Sequence, residues 1–193
     1  MKKLTSLFFL LVIGITRISA QASASKNKNL LSNFHSYNTV QLLNGSTTTS
    51  AAIISVNGFQ FHHFFTGIGV GYDYYYRRSI PLFVETRYNV VGKIRKLQLF
   101  ANAGANFIVN QQNKNFVNKT GPYKTGRYWS AGFDYFIPVK TDALTIGIAY
   151  SSKQVIQMVD NYTWNPLLNR SENIPIKEEY LLNRMAVRLG WVF

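Results

Sequence analysis

The side chains best suited to acid–base or metal chemistry in this 193-residue chain are its three histidines, His35, His62 and His63. Catalysis by a nucleophile or a general base needs a histidine held beside a serine or a carboxylate, and no such triad is visible. His62 and His63 are adjacent at a strand end, so their side chains point opposite ways and cannot share a metal ion. The chain has no cysteine, which removes disulfides and thiolate sites. The sequence therefore predicts no catalytic residue, no metal and no cofactor.

A glycine-rich segment is the next candidate for chemistry, with glycines spaced two apart at Gly67, Gly69 and Gly71. A phosphate-binding loop would be followed by a helix and would carry a lysine, and this segment has neither. The glycines share one face of a predicted strand. We expect them to make room for bulky neighbours such as Tyr75, Phe83 and Phe100, not to bind a nucleotide.

Six charged residues alternate with apolar ones in strand-like segments, which puts them on one polar face. They are Asp73, Glu85, Arg87, Asp134, Arg184 and Arg188. If the strands close into a barrel, three acids and three bases can balance inside it. An eight-stranded barrel is just wide enough to be filled by side chains, and an unpaired buried charge is costly. We expect a charge-paired interior; the alternative is a narrow, gated water path.

The elements that would position these residues are eight strands separated by turn residues, with no helix of any length. The predicted strands span residues 34–43, 51–61, 65–75, 80–90, 96–109, 127–137, 143–152 and 181–193. An even number of strands suits a closed antiparallel up-and-down barrel, which has short turns at one end and longer loops at the other. The long connections, 110–126 and 153–180, fall on the same side of such a barrel.

Two observations favour a membrane barrel over a soluble one. The apolar faces of the third to eighth strands carry no charged residue, as a lipid face requires. Aromatic residues on those faces lie near strand ends, as in interfacial girdles. One group, Tyr72, Tyr74, Trp129 and Tyr150, falls toward the outer rim, and the other, Tyr88, Tyr135, Trp191 and Phe193, toward the periplasmic rim. The alternative is a secreted soluble barrel that binds an apolar ligand.

The N-terminal residues follow the pattern of a secretory signal peptide. Lys2 and Lys3 precede an apolar stretch over 7–15, and a small residue, Ala20, precedes the expected cleavage. We therefore divide the chain into a signal peptide at 1–20, a flexible lead-in at 21–32 and an outer-membrane barrel at 33–193.

The net charge of +13 is spread over the chain, with no dense basic run beyond Arg77 and Arg78. This distribution argues against a nucleic-acid groove and fits an anionic membrane surface. The predicted external loops contain Arg77, Arg78, Lys114, Lys119, Lys124, Arg127, Lys153 and Arg170. We expect Arg77, Arg78 and Arg127 to contact lipopolysaccharide phosphates; the alternative is solvated loop charge.

Four short segments carry a family resemblance. In chain order they are Asn57-Gly58-Phe59-Gln60-Phe61, Gly67-Ile68-Gly69-Val70-Gly71-Tyr72-Asp73, Ile80-Pro81-Leu82-Phe83 and Arg87-Tyr88. In their order these segments resemble the small outer-membrane β-barrel family, which is similar to the OmpA transmembrane domain, here without a periplasmic domain. The resemblance implies a Gram-negative outer membrane, and Trp191 and Phe193 resemble the signal that the barrel-assembly machinery recognises.

From the resemblance and the residues together we expect a monomeric, non-enzymatic barrel in contact with lipid and lipopolysaccharide. Its role would be structural or a surface interaction through loops 110–126 and 153–180. An outer-membrane lipid-modifying enzyme is a further alternative. His62 and His63 fall in a predicted periplasmic turn, away from substrates of the outer leaflet, which argues against it.

Overall fold

The computed structural model describes residues 33–46, 48–90, 96–109, 120–139, 142–165 and 169–193. The predicted signal peptide and lead-in lie outside these residues. Within them the chain is all-β, and there is no helix of the length and hydropathy needed to cross a membrane. The strands are β1 (Phe34–Gly45), β2 (Thr49–Phe61), β3 (Phe64–Asp73), β4 (Ser79–Asn89), β5 (Leu97–Ile108), β6 (Thr120–Lys124), β7 (Gly126–Val139), β8 (Asp142–Val159), β9 (Tyr162–Asn165), β10 (Arg170–Asn173) and β11 (Ile176–Val192).

Eight of these strands close into an antiparallel barrel in the order β1, β2, β3, β4, β5, β7, β8, β11. Closure is made by β11, which pairs with β8 on one side and with β1 on the other. The eight-stranded barrel predicted from the alternation is confirmed. We call the end with the β2–β3 turn and Phe193 the terminal rim, and the end with the β3–β4 turn the loop rim.

The long connections are where the prediction was wrong. Segments expected as loops over 110–126 and 153–180 contain β6, β9 and β10, and β8 and β11 run on past the barrel wall. The pairing of β8 with β11 continues unbroken to Ile176 opposite Val159. The sequence there mixes polar, charged and apolar residues and does not alternate as a membrane strand does, yet backbone pairing with a neighbour is enough to keep it extended.

Inward-facing side chains fill the barrel in two buried apolar clusters. One consists of Leu43, Ala52, Tyr75, Phe100, Ala149, Val155, Leu182 and Ala186, and the other of Tyr37, Ile54, Val56, Phe65, Phe83, Tyr128 and Val192. The polar and charged residues described next lie among them.

Glycines on the inward face make room for this packing. A Cβ at Gly69 would overlap the ring of Phe83, as expected from the sequence. Tyr75 lies instead against Gly45, on β1, so the expectation that Gly67, Gly69 and Gly71 accommodate it was wrong. The wall strands are brought together only when the barrel closes, which the spacing of glycines along one strand does not reveal.

Candidate functional site

The charged residues of the interior form two groups, one nearer each rim. The group toward the loop rim centres on Asp73 at the end of β3. One carboxylate oxygen of Asp73 pairs with Nη1 of Arg184 on β11. The other lies 3.2 Å from Nζ of Lys153 on β8 and accepts a 2.7 Å hydrogen bond from the backbone N–H of Tyr75. One acid thus connects β3, β8 and β11.

Lys153 was expected among the basic residues of an external loop, and that expectation was wrong. Its side chain is fully buried inside the barrel. Its Nζ donates to the backbone carbonyls of Tyr75 at 2.7 Å and Arg77 at 2.9 Å, and to Oγ of Ser79 at 3.0 Å. The hydrogen bonds from Lys153 therefore hold the β3–β4 turn against the interior of the barrel. The extension of β8 beyond Ser152 carries the lysine to the position where it can do so.

The second group joins Glu85, Arg87, Asp134 and Arg188 across β4, β7 and β11. Arg87 donates through Nε to Glu85 at 2.6 Å and through Nη1 to Asp134 at 3.0 Å. Nε of Arg188 lies 3.3 Å from the other oxygen of Asp134, within ion-pair distance but without the alignment of a hydrogen bond. Asp134 is therefore shared by two arginines.

Neutral polar residues extend this second group. Gln98 accepts from Nη1 of Arg87 at 3.0 Å and donates to the hydroxyl of Tyr37 at 3.2 Å. Asn102 donates to the free oxygen of Glu85 at 2.9 Å. The ring of Tyr37 lies 3.8 Å from Cζ of Arg87, so the guanidinium is also stabilised by an aromatic face.

A glycine that sequence reasoning missed allows Asp134 and Arg188 to meet. Gly147 on β8 is paired with Asp134 on β7 and with Arg188 on β11, so it lies directly between them. A Cβ built at Gly147 would overlap the Asp134 carboxylate. The contact therefore crosses an intervening strand at a position that has no side chain.

All six charged residues predicted for the interior are buried there, and Lys153 is a seventh. The buried charged residues among those described are four bases and three acids, not three of each. Their ion pairs and aromatic contacts run across the barrel and fill it, which is an arrangement that holds strands together. No group of three histidine, cysteine or acidic side chains in the described ranges could hold a metal ion.

The histidines lie at the terminal rim. His62 and His63 form the β2–β3 turn, where His62 adopts a φ of 52° and its carbonyl accepts a 2.9 Å hydrogen bond from Gln60. His35 lies at the start of β1.

The loop rim carries the arginines predicted to contact phosphate. Arg77 and Arg78 are exposed in the β3–β4 turn, with the Arg77 guanidinium carbon 5.7 Å from the centroid of the Tyr123 ring and that of Arg78 5.8 Å from Tyr74. Arg127 is exposed at the start of β7. Lys114 and Lys119 lie outside the described residues.

Beyond the loop rim, the β8–β11 extension carries charged side chains such as Lys177, Glu178 and Glu179. Hydrogen bonds from Lys177 and Gln154 hold the pKa of the Glu179 carboxyl below its usual range. Tyr180 donates a 2.6 Å hydrogen bond to Glu178, and this bond raises the pKa of the Tyr180 hydroxyl. These exposed charges distinguish the extension from the wall below it, whose outward positions between the rims carry no charge among the described residues.

The outer wall of the barrel is largely apolar, with the uncharged pair Ser55 and Asn57 on β2 as an exception. Large hydrophobic side chains point outward from every wall strand, and the most exposed include Ile68 at 66%, Val84 at 60% and Leu189 at 60%. Between the rims, the outward positions in the described ranges carry no Asp, Glu, Lys or Arg. Aromatic pairs lie toward each end, with Trp129 and Tyr150 in contact toward the loop rim.

Comparisons with known proteins concern the fold. No family model matches the chain, and no curated protein does. Among solved structures, the chain is similar to a protein from the de novo design of transmembrane β-barrels, at 13% identity over 83% of this chain and 95% of that one, with a TM-score of 0.43. It is also similar to the outer membrane protein AlkL, whose structure was determined by solid-state NMR in DMPC lipid bilayers. That match has 10% identity over 83% of this chain and 89% of that one, with a TM-score of 0.48.

Proposed function

We propose that this chain is a non-enzymatic β-barrel of a Gram-negative outer membrane, with a structural or surface-interaction role. The observation that carries the proposal is the apolar outer wall, which has no charged side chain between the rims in the described ranges. Soluble monomers rarely expose a continuous apolar surface larger than a few hundred Å². A largely apolar belt of this size is stabilised by lipid, not by water.

The polarity of the barrel argues against the soluble alternative. A soluble ligand-binding barrel has apolar residues inside and polar residues in water. This barrel differs on both counts: Arg87, Arg184 and Arg188 are buried among its apolar interior residues, whereas Val84 and Leu189 are exposed. An interior filled by apolar side chains and ion pairs also leaves a poor cavity for an apolar ligand.

The same interior argues against a transport role. Each buried acid has at least one base within ion-pair distance, and these contacts join strands across the barrel. Opening a water path would break contacts in a region where unpaired charges are costly. The geometry therefore best supports a structural or surface-interaction role, performed by a barrel whose interior is filled by side chains.

Secretion and assembly belong to the same proposal. Residues 1–20 would direct export, and Trp191 and Phe193, both exposed on the outside of the barrel, would be read by the barrel-assembly machinery. A closed barrel leaves no unpaired wall strand, so we expect a monomer.

We further propose that Arg77, Arg78 and Arg127 contact lipopolysaccharide phosphates. The three are exposed at the loop rim, just above the apolar belt, where phosphates of the outer leaflet would lie. The histidines are at the opposite rim, which disfavours an enzyme that acts on the same lipid.

Two experiments test these proposals. Heat-modifiable gel mobility together with fractionation of cell envelopes tests the location of the protein in the outer membrane, and a chain recovered soluble from the periplasm would contradict that location.

The amount of lipopolysaccharide that co-purifies with the protein tests the phosphate contact at the loop rim. We expect less of it with Arg77→Ala/Arg78→Ala than with the control Lys177→Ala, whose lysine pairs with Glu179 on the extension. Equal amounts would contradict the phosphate contact.

A further inference from the structure

We propose that the barrel interior binds a small monovalent anion of the chloride class at the Nη edge of Arg188. The first observation is charge. The buried charged side chains among the described residues are the bases Arg87, Lys153, Arg184 and Arg188 and the acids Asp73, Glu85 and Asp134. The described interior as a whole thus holds one more base than acids, and an uncompensated buried charge is costly. A single bound anion makes the interior neutral.

The second observation is the set of unpaired donors on Arg188: none of its three guanidinium nitrogens makes a hydrogen bond among the described residues, whereas Arg87 and Arg184 each leave one nitrogen unpaired. The Arg188 side chain is 1% exposed, and its Nη1 and Nη2 donate to no acceptor in the part of the chain that the structure describes. Its one acid, Asp134, is shared with Arg87, which has Glu85 as well. Arg184, by comparison, has Nη1 directly on Asp73. Buried donors of a guanidinium are almost always paired, so this edge calls for an acceptor.

The third observation is the direction from which an acceptor can approach. The Arg188 guanidinium carbon lies 3.7 Å from the centroid of the Phe100 ring, so the ring covers one face of the guanidinium. The N–H groups lie in the guanidinium plane and are left for an acceptor at its edge. Asn102, the next inward position on β5 after Phe100, has a buried oxygen that forms no hydrogen bond with them.

A further unpaired donor lies on the neighbouring strand. Gln41 on β1 is paired in register with Arg188, is 2% exposed, and has no hydrogen-bond partner for Nε2 among the described residues. Three buried donor nitrogens therefore belong to adjacent inward positions. Because an eight-stranded barrel is nearly filled by its side chains, the acceptor must be small. A chloride-class anion fits both the size and the charge.

The test is the salt dependence of thermal stability, measured by circular dichroism on the full chain folded in detergent micelles. A ligand that binds only the folded state raises the Tm, so we compare about 100 mM sodium chloride with sodium gluconate at the same ionic strength. We expect a Tm several degrees higher in chloride for the wild type and for the control Lys177→Gln, whose lysine is exposed. We expect the same Tm in both salts for Arg188→Met.

The wild-type comparison alone can overturn the proposal, because equal Tm values in the two salts mean that no anion binds. A chloride effect that survives in Arg188→Met also overturns it, since the anion would then bind elsewhere. Should Arg188→Met fail to fold, Gln41→Leu removes one donor and keeps every interior charge. We expect a smaller chloride effect in that variant, and an unchanged one would contradict the site.

Discussion

A charge placed on the outer wall should destabilise the barrel according to its depth in the membrane. Val187 on β11 points outward and is 53% exposed. It lies two residues, about 7 Å, from Met185, which is level with Tyr150 of the loop-rim aromatic pair. On the other side it lies four residues, about 14 Å, from Trp191. Val187 therefore lies inside the apolar belt, about a third of the way from its loop-rim edge to Trp191.

Leu181, on the same strand and face, provides the matched control. It is 65% exposed and lies four residues, about 14 Å, beyond Met185 toward the β8–β11 extension. An arginine at the midplane of a membrane barrel costs about 2–4 kcal/mol, and one near the interface about 0–1 kcal/mol. We expect Val187→Arg to lower the free energy of unfolding by the larger amount and Leu181→Arg by the smaller.

The assay is reversible urea unfolding in phospholipid vesicles, followed by tryptophan fluorescence. Because both positions are well exposed, a soluble barrel would tolerate both arginines equally. Equal losses below about 1 kcal/mol, the value near an interface, would therefore refute the membrane assignment. A correctly folded barrel in both variants, checked by heat-modifiable mobility, is the control for misassembly.

Three interior substitutions give further predictions. Asp134→Asn should lower the free energy of unfolding in detergent by about 3–5 kcal/mol, because it leaves Arg188 without an acid and Arg87 with only one; a loss below about 1 kcal/mol would count against the shared pair. Gly147→Ala should lower the Tm, because the added Cβ overlaps the Asp134 carboxylate; an unchanged Tm would show that the wall adapts. Lys153→Met should speed trypsin cleavage in the β3–β4 turn, because the turn loses its hydrogen bonds to the interior. Cleavage at the wild-type rate would contradict that role.

The sequence could predict more of the wall than of its interior. Alternation in β4, β5 and β7 predicted each strand to within two residues of its observed ends. The extensions of β8 and β11 beyond the barrel wall do not alternate in this way. Each extension is held as a strand by pairing with the other. Only the register of the closed barrel shows that the pairing of β8 with β11 continues beyond the wall. The strands β9 and β10 were missed because each is only four residues long.

By itself the sequence determined which side chains face inward, because the two faces of a strand follow from a period of two residues. Only the tertiary structure decided which of those side chains meet. Asp134 and Arg188 lie 54 positions apart in number and one strand apart in space, joined across Gly147. Lys153 became an interior base because β8 continues beyond its predicted end. Contacts of this kind depend on register and closure around the whole barrel, which no local pattern contains.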